Sequence, residues 1–353
     1  MEAVDEQGSS ARALEDAEWK DEHRVEDRLR GPKLALLEPC KERNLALVAT
    51  EACHHPEATY KLELTGGPAF RKQYPLPIEA RVELMEKVQE WKTNGVVEDA
   101  PMKSPWNSPM LRVSQGAKNR WCLDARGTNE VSAEQSLPVP DIFDIWARLS
   151  GSKYFSAIDL RHAYWQLPLH TESRDATTFS VGQQRYRFKV CPFGLKGLVG
   201  HMQALMAEMF RDMPAVVIYL DDILVQTKAL PDESTEDGLR RHTNDVIAVI
   251  ERLTRWGLRV NWEKSHFFYK KIAYLGHLVS GESREIQPQK LKKIFDWPRP
   301  TTGKQVMAYL GLTNYLRDYC PLYAALAAPL DKLTAYQKED PSTRLERRMS
   351  ASL

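Results

Sequence analysis

The stretch VVIYLDDILV (residues 216–225) sets two adjacent acids, Asp221 and Asp222, inside an otherwise almost wholly apolar run. In one straight strand, neighbouring residues point to opposite faces, so at least one carboxylate would enter an apolar layer. An ionised, unpaired carboxylate there costs several kcal/mol. A tight β-hairpin removes the conflict: the acids sit at the turn and the apolar arms run back into a sheet. A third acid, Asp159, ends the similar run KYFSAID (residues 153–159). If the two strands are neighbours, three carboxylates converge. Bare clustering raises carboxylate pKa values, and hard divalent cations relieve it. Mg²⁺ takes one or two carboxylates plus substrate phosphates, and two ions about 3.5–4 Å apart serve in-line phosphoryl transfer. Asp-Asp is also a common turn dipeptide whose acids are simply solvated. On the dipeptide alone both readings stand, and the second Asp-ended strand strengthens the metal reading.

The whole chain bounds the possibilities. It has 353 residues, 42% hydrophobic and 27% charged, a composition ordinary for soluble globular proteins. No apolar run approaches the ~18 residues that span a bilayer, and the acidic N-terminus lacks a signal-peptide core. An intracellular protein, cytoplasmic or nuclear and not membrane-bound, is expected. Five cysteines without a CxxC pair fit reduced thiols better than a disulfide framework or zinc site. Residues 1–30 hold ten acids against five Lys/Arg, a net of −5, which leaves +6 on residues 31–353. A moderately basic body is compatible with a nucleic-acid partner.

Organisation follows from periodicity. Residues 1–65 are polar and weakly periodic and read as an acidic leader, largely disordered or loosely helical. In IEARVELMEKVQEWKTNG, apolar residues recur every three or four positions before Gly95, the pattern of an amphipathic helix. MLRV and RWCLDAR read as a hairpin, TTFSVGQQRYRFKV as two strands about Gly182, GLVGHMQALMAEMF as a helix, and HTNDVIAVIERLTRWG as another. LRVNWEKSHFF and IAYLGHLVS are strand-like. PQKLKKIF is a short helix in which Leu291, Ile294 and Phe295 form an apolar face and Lys290 and Lys293 a basic rim suited to duplex phosphates. The tail, residues 336–353, is polar. Strands and helices interleave without βαβ alternation, so the fold class is α+β.

The ordered blocks around the acids resemble the reverse transcriptases of gypsy-like LTR retrotransposons and, more distantly, retroviral ones. Tyr219-Leu220-Asp221-Asp222 is similar to the Tyr-x-Asp-Asp box, and FSAIDLRHAYWQLPL (residues 155–169) to the first catalytic box. RWCLDARGTNE, SPWNSP, RYRFKVCPFGLKG, YLGHLVS, DWPRPTTGKQVMAYLGLTNYLRDY and PLDKL resemble further blocks. The resemblance implies a right-hand polymerase fold of fingers, palm and thumb, with an antiparallel palm sheet and helices packed on one face. It implies fingers and palm over residues 66–280 and thumb with the start of a connection over 281–335. It also implies RNA-directed DNA synthesis from deoxynucleoside triphosphates on a primed RNA or DNA template, with two Mg²⁺ or Mn²⁺ ions. Asp159 and Asp221 would be the principal metal ligands and Asp222 a supporting one. Arg120 would hold the triphosphate, Tyr164 would pack under the sugar, and Phe193, Gly194 and Lys196 would line the nucleotide pocket. Leu275 and Gly276 would contact the primer backbone. A dimer is compatible with the resemblance.

Two departures stand out. After FGLK the family's Asn-Ala-Pro-Ala-Thr-Phe-Gln is replaced by GLVGHMQ (residues 197–203), which keeps the final Gln and loses the Pro. The fingers hairpin has RVSQGAKNR where the family carries consecutive lysines. No protease triplet precedes and no RNase H sequence follows, so the chain reads as a fragment of a longer polyprotein. Two readings remain open: an active RNA-directed DNA polymerase, and a catalytically silent nucleic-acid-binding relic or domesticated fragment. A metal-dependent nuclease would also use clustered acids but leaves Arg120, Tyr164 and PFGLK unexplained.

Overall fold

In the computed structural model, residues 22–115, 118–134 and 140–334 are described. The chain divides into two compact units near Ile272. Of the described residues, the first holds those up to Ile272 together with Ser280–Glu282, and the second holds Ala273–Val279 and those from Ser283 on. In order, the first unit contains α1 (Asp27–Leu45), α2 (Ile78–Thr93), β1 (Val97–Asp99), β2 (Met110–Gln115), β3 (Lys118–Leu123), α3 (Arg126–Glu130), α4 (Ile142–Leu149) and β4 (Ser152–Ile158). It continues with β5 (Phe179–Val181), β6 (Gln184–Phe188), α5 (Leu198–Met209), β7 (Val216–Tyr219), β8 (Asp222–Lys228), α6 (Thr235–Arg255) and β9 (His266–Tyr269). Then come β10 (Ile272–Tyr274), β11 (His277–Val279), β12 (Arg284–Ile286), α7 (Pro288–Phe295), α8 (Gly303–Asn314) and α9 (Tyr323–Thr334). No helix among the described residues is long and apolar enough to cross a membrane.

The central sheet is antiparallel, in the order β7-β8-β4-β9. Its strands are apolar on both faces, because both faces are covered. Val216, Ile218, Ile223 and Val225 join the main core, and the alternate residues Val217, Leu224 and Phe155 are fully buried on the other side. Each such side chain contributes about 1.5–3 kcal/mol by leaving water. α6 lies against β4 and β8 through Leu239, Val246, Val249, Ile250 and Leu253, all inaccessible to solvent. It starts on a Ser234 cap that accepts the Asp237 N–H at 3.1 Å and ends with Arg252 and Arg255, both favourable to the helix dipole. A buried histidine enters this layer. His242 is fully buried, within 2.8 Å of the hydroxyls of Ser156 on β4 and Thr227 on β8, and burial pushes its imidazole down to about 3. It is held neutral as a crosslink between two strands.

Smaller sheets flank this one. β2 and β3 form a hairpin with Val113 opposite Arg120, and β1, β6 and β5 form a second sheet in that order. In the second unit β10, β11 and β12 make a three-stranded sheet. α8 and α9 share a small core of Val306 and Leu333, backed by Leu310 and Leu330.

Two expectations are corrected. Residues 22–65 are no disordered leader; residues 1–21 lie outside the described set. α1 lays Lys33, Leu37, Cys40 and Asn44, one residue every three to four positions, against α6. Lys33 pairs with Glu236, and Asn44 donates to Thr254 Oγ1 at 2.8 Å and to Leu258 C=O at 2.9 Å while accepting the Val260 N–H at 2.9 Å. The stripe is half polar and the helix contains Pro32 and Pro39, so neither hydropathy nor propensity marked it. Cys53, Ala58, Tyr60 and Leu62 then run through the core. In α7, no residue is fully buried: Leu291 and Ile294 are half-buried, and Phe295, expected on the apolar face, is 82% exposed. Two turns of helix are too short to cover three large side chains.

Candidate active site

The acidic pair sits on a two-residue hairpin. Tyr219 pairs with Asp222, leaving Leu220 and Asp221 as the connection between β7 and β8. Leu220 has φ 59°, while Asp221 is outside the left-handed region. This is the pattern of a type II′ turn, whose first central position normally takes glycine. A leucine there costs about 1–3 kcal/mol and persists only where the surroundings enforce it. The enforcement comes from Gln203, buried on α5, whose Oε1 accepts the Leu220 N–H at 2.6 Å. This is the Gln retained in the altered GLVGHMQ segment.

Asp159 follows β4 directly. Ile158 pairs with Ile223 on β8, so the next residue reaches the level of Asp222. Its N–H donates to Ser265 Oγ at 3.1 Å and its C=O accepts the Asn261 N–H at 2.8 Å. Burial raises its carboxyl pKa, Lys264 and a hydrogen bond from Asn261 work against that, and Asp221 adds to it. Asp222 keeps its edge in solvent but is crowded by protein. That crowding first, then the charges of Asp221 and Asp159, push it up to about 6. The three carboxylates are thus in one another's field. Among the described residues, though, no three His, Cys, Asp or Glu side chains are drawn together as a ready-made metal cage. The donor chemistry fits a hard cation, and completing its shell requires oxygens from elsewhere.

Tyr164 is half-buried beside them: burial and the Asp221 charge raise its phenol pKa. Its ring meets Phe193 edge-on at 5.3 Å between centroids. Gly194 takes φ 93°, and Asn129 holds both sides of the bend, donating from Nδ2 to Gly194 C=O and accepting the Lys196 N–H, each at 2.8 Å. Tyr60 donates to the Lys196 carbonyl. Asn129 and Tyr60 were not singled out from the sequence, since nothing local distinguishes them; Asn261 and Lys264 likewise.

Arg120 is exposed on β3, and its charge acts on His162 together with those of Arg161, Lys264 and Arg259. Arg126, six residues on, is occupied elsewhere. It clasps the buried Asp124 at 2.6 and 2.8 Å, Tyr74 Oη adds a bond at 2.8 Å, and the Asp124 carboxyl is held far below the ordinary range.

In the second unit, Leu275 (φ 45°) and Gly276 (φ 80°) form the left-handed pair of a type I′ turn between β10 and β11. Lys290, expected on the basic rim of α7 beside its apolar face, has its ammonium 3.8 Å from the centre of the Tyr315 ring. Lys293 is exposed on the same helix. The structure therefore brings Asp159, Asp221, Asp222, Tyr164 and Phe193 together in one unit and Leu275, Gly276 and Lys290 together in the other.

An antiparallel sheet that presents carboxylates from a hairpin turn and from the end of an adjoining strand defines the palm of a right-hand nucleic-acid polymerase. Residues 112–279 match the family described as reverse transcriptase (RNA-dependent DNA polymerase). The chain is similar to the retrovirus-related Pol polyprotein from transposon opus of Drosophila melanogaster, 31% identical over 79% of this chain and 28% of that protein. It is also similar to the Gag-Pol polyprotein of koala retrovirus, 30% identical over 79% of this chain and 17% of that one. Among solved structures, the foamy viral protease-reverse transcriptase in complex with RNA/DNA hybrid superposes with a TM-score of 0.79 at 20% identity, covering 95% of this chain and 45% of that one. The chain thus spans less than half the length of each of these relatives. It carries a reverse transcriptase domain of the retroviral, LTR-element type.

Proposed function

We propose that this chain is an RNA-directed DNA polymerase of a retrotransposon, adding deoxynucleotides to a primer 3′ end on a primed RNA or DNA template. The observation that carries this is the meeting of Asp221 and Asp222 with Asp159, in which the Asp221 charge raises the proton affinity of Asp159 and the charges of Asp221 and Asp159 raise that of Asp222, with Tyr164 against them. Asp159 and Asp221 would hold two Mg²⁺ or Mn²⁺ ions, with Asp222 assisting and substrate phosphates completing the shell. Bound there, the ions would acidify the primer hydroxyl and neutralise charge on the departing pyrophosphate. The chain's own residues do the positioning. Tyr164, braced by Phe193, closes the space beneath the sugar and excludes a 2′-hydroxyl. The loop of Phe193, Gly194 and Lys196, held by Asn129, lines the nucleotide pocket. The planar guanidinium of Arg120 suits the triphosphate. Leu275 and Gly276 hold the primer, and Lys293 meets duplex phosphates. The similar foamy viral protein has been solved with an RNA/DNA hybrid and with double-stranded DNA, which supports a primed duplex as partner.

A second reading, a catalytically silent nucleic-acid-binding protein, has one observation in its favour. On the fingers hairpin, Arg112 is engaged by Glu83 at 2.8 Å, which leaves Arg120 with less help in holding a triphosphate. The deciding experiment gives the purified chain a primed homopolymer RNA, deoxynucleotides and Mg²⁺ or Mn²⁺. Extension that vanishes in Asp221→Asn supports the polymerase. Template binding without extension under either metal supports the silent reading.

A further inference from the structure

The segment matching the reverse transcriptase family ends at residue 279, yet residues beyond it enclose the Leu275–Gly276 turn. Tyr315, 39 positions along the chain, donates from Oη to the Gly276 carbonyl at 2.6 Å. Its ring stacks on His277 (4.9 Å, 20°), and the Lys290 ammonium lies over it at 3.8 Å. On His277 a second ring, Tyr319, stacks at 5.7 Å, and its hydroxyl is 2.8 Å from Nδ1. The space a side chain on Gly276 would need is already filled: a Cβ there would lie 2.6 Å from Tyr315 Oη and 2.0 Å from Lys290 Nζ. Glycine is required here for φ 80°, and a Cβ would push the Lys290 ammonium and the Tyr315 hydroxyl away from the turn. Leu275 has no such freedom, and left-handed backbone at a leucine is costly, so the turn is held from outside. Burial, with Arg284 and Lys290 nearby, keeps His277 down at about 4. A neutral imidazole can stack between the tyrosines without adding a third cation to the cluster. Cation–π contact gives Lys290 a partner where a lone ammonium at the turn would be poorly solvated.

We propose that Tyr315 and Lys290 are positioning residues for the primer 3′ end: they lock the Leu275–Gly276 turn in a single backbone geometry, so that a primer lying on it is presented in register. The proposal rests on the polymerase reading, in which this turn touches the primer. It also reassigns Lys290 from contacting the duplex to fixing the turn that does.

The test uses the full chain. Tyr315→Phe keeps the ring and its stacking and removes one hydroxyl; Lys290→Met keeps the stem and removes the charge. Each is expected to raise the KM for primer–template roughly fivefold, about the ratio that one neutral hydrogen bond or one cation–π contact is worth, with the KM for deoxynucleotide unchanged. The double variant should fall short of the product of the single effects, because both groups act on one turn. Amide exchange at residues 275–277, read without any catalysis, should quicken in Tyr315→Phe while the rest of the chain keeps its rates. Exchange equal to wild type overturns the lock. Unchanged primer–template KM in both variants of an extending enzyme overturns the positioning role. A wild-type chain that extends no primer refutes the polymerase reading and with it the primer role, and exchange still decides whether the lock exists.

Discussion

Replacing Gln203 by methionine tests how the catalytic turn is held. The substitution keeps volume and helix propensity and removes the acceptor of the Leu220 N–H, which lies at 2.6 Å on the buried face of α5. An unsatisfied buried donor costs about 1–3 kcal/mol. The left-handed strain at Leu220, φ 59°, also loses its counterweight, so the turn relaxes toward another geometry and carries Asp221 with it. Unfolding in urea should show Gln203→Met less stable by about 1–3 kcal/mol. Extension rate should fall more than tenfold, because a displacement near 1 Å at a reacting group costs on the order of a hundredfold. Glycine at 220 supplies the diagnostic. It takes φ 59° without the ~1–2 kcal/mol penalty of an L side chain, so Leu220→Gly should restore part of both losses in the methionine background. The reasoning is refuted if Gln203→Met extends primers at the wild-type rate, or if Leu220→Gly lowers the stability of the methionine variant further.

Other consequences follow from the same geometry. Asn44→Leu removes three hydrogen bonds that tie α1 to the segment before Asn261 and should cost about 2–4 kcal/mol in denaturant unfolding; no loss would return residues 22–65 to the status of a dispensable leader. Asp222 has its pKa raised to about 6 in the fold, so its contribution is fully present below the unfolded value near 4 and is lost as pH rises through 6. Asp222→Asn should therefore gain melting temperature above pH 6 and show no gain below pH 4, and added Mg²⁺ should shrink the gain; a gain independent of pH contradicts the shared field. His242 is depressed to about 3, so its neutral crosslink is fully favourable above the unfolded value near 6.5 and is lost as pH falls toward the folded one. Stability should decline with acidification from pH 6.5, and His242→Gln, less stable at pH 7, should decline less steeply between pH 6 and 4; parallel slopes for the two proteins would count against it.

The site was legible to different depths. The acids of residues 216–225 and 153–159 could be placed because strand alternation forbids burying adjacent charges, and that constraint is local. Tyr164, Phe193 and Gly194 became interpretable only through resemblance, since an aromatic in an apolar run is ordinarily core. The contact of Lys290 with Tyr315 was not legible, because helical spacing tells which residues share a face and nothing of a tyrosine 25 positions later. Arg120 and Arg126 are set apart in the fold by the buried carboxylate of Asp124, which the Arg126 guanidinium clasps, while Arg120 is exposed on β3.

By itself the sequence determined that VVIYLDDILV is a hairpin, that its acids lie at the turn, and that the surrounding fold is α+β, because these follow from periodicity and from the cost of burying charge along a short stretch of chain; the polymerase entered only through the resemblance of the ordered blocks around it. Only the tertiary structure decided what fixes those pieces: Gln203 on the strained turn, Asn129 on the nucleotide loop, Tyr315 on the second turn, and an N-terminal helix with two prolines seated on α6. Each is a single hydrogen-bonding or packing group whose partner lies far away in sequence. Such a group carries no periodic signal of its own, and its meaning exists only once the fold has brought its partner within about 3 Å.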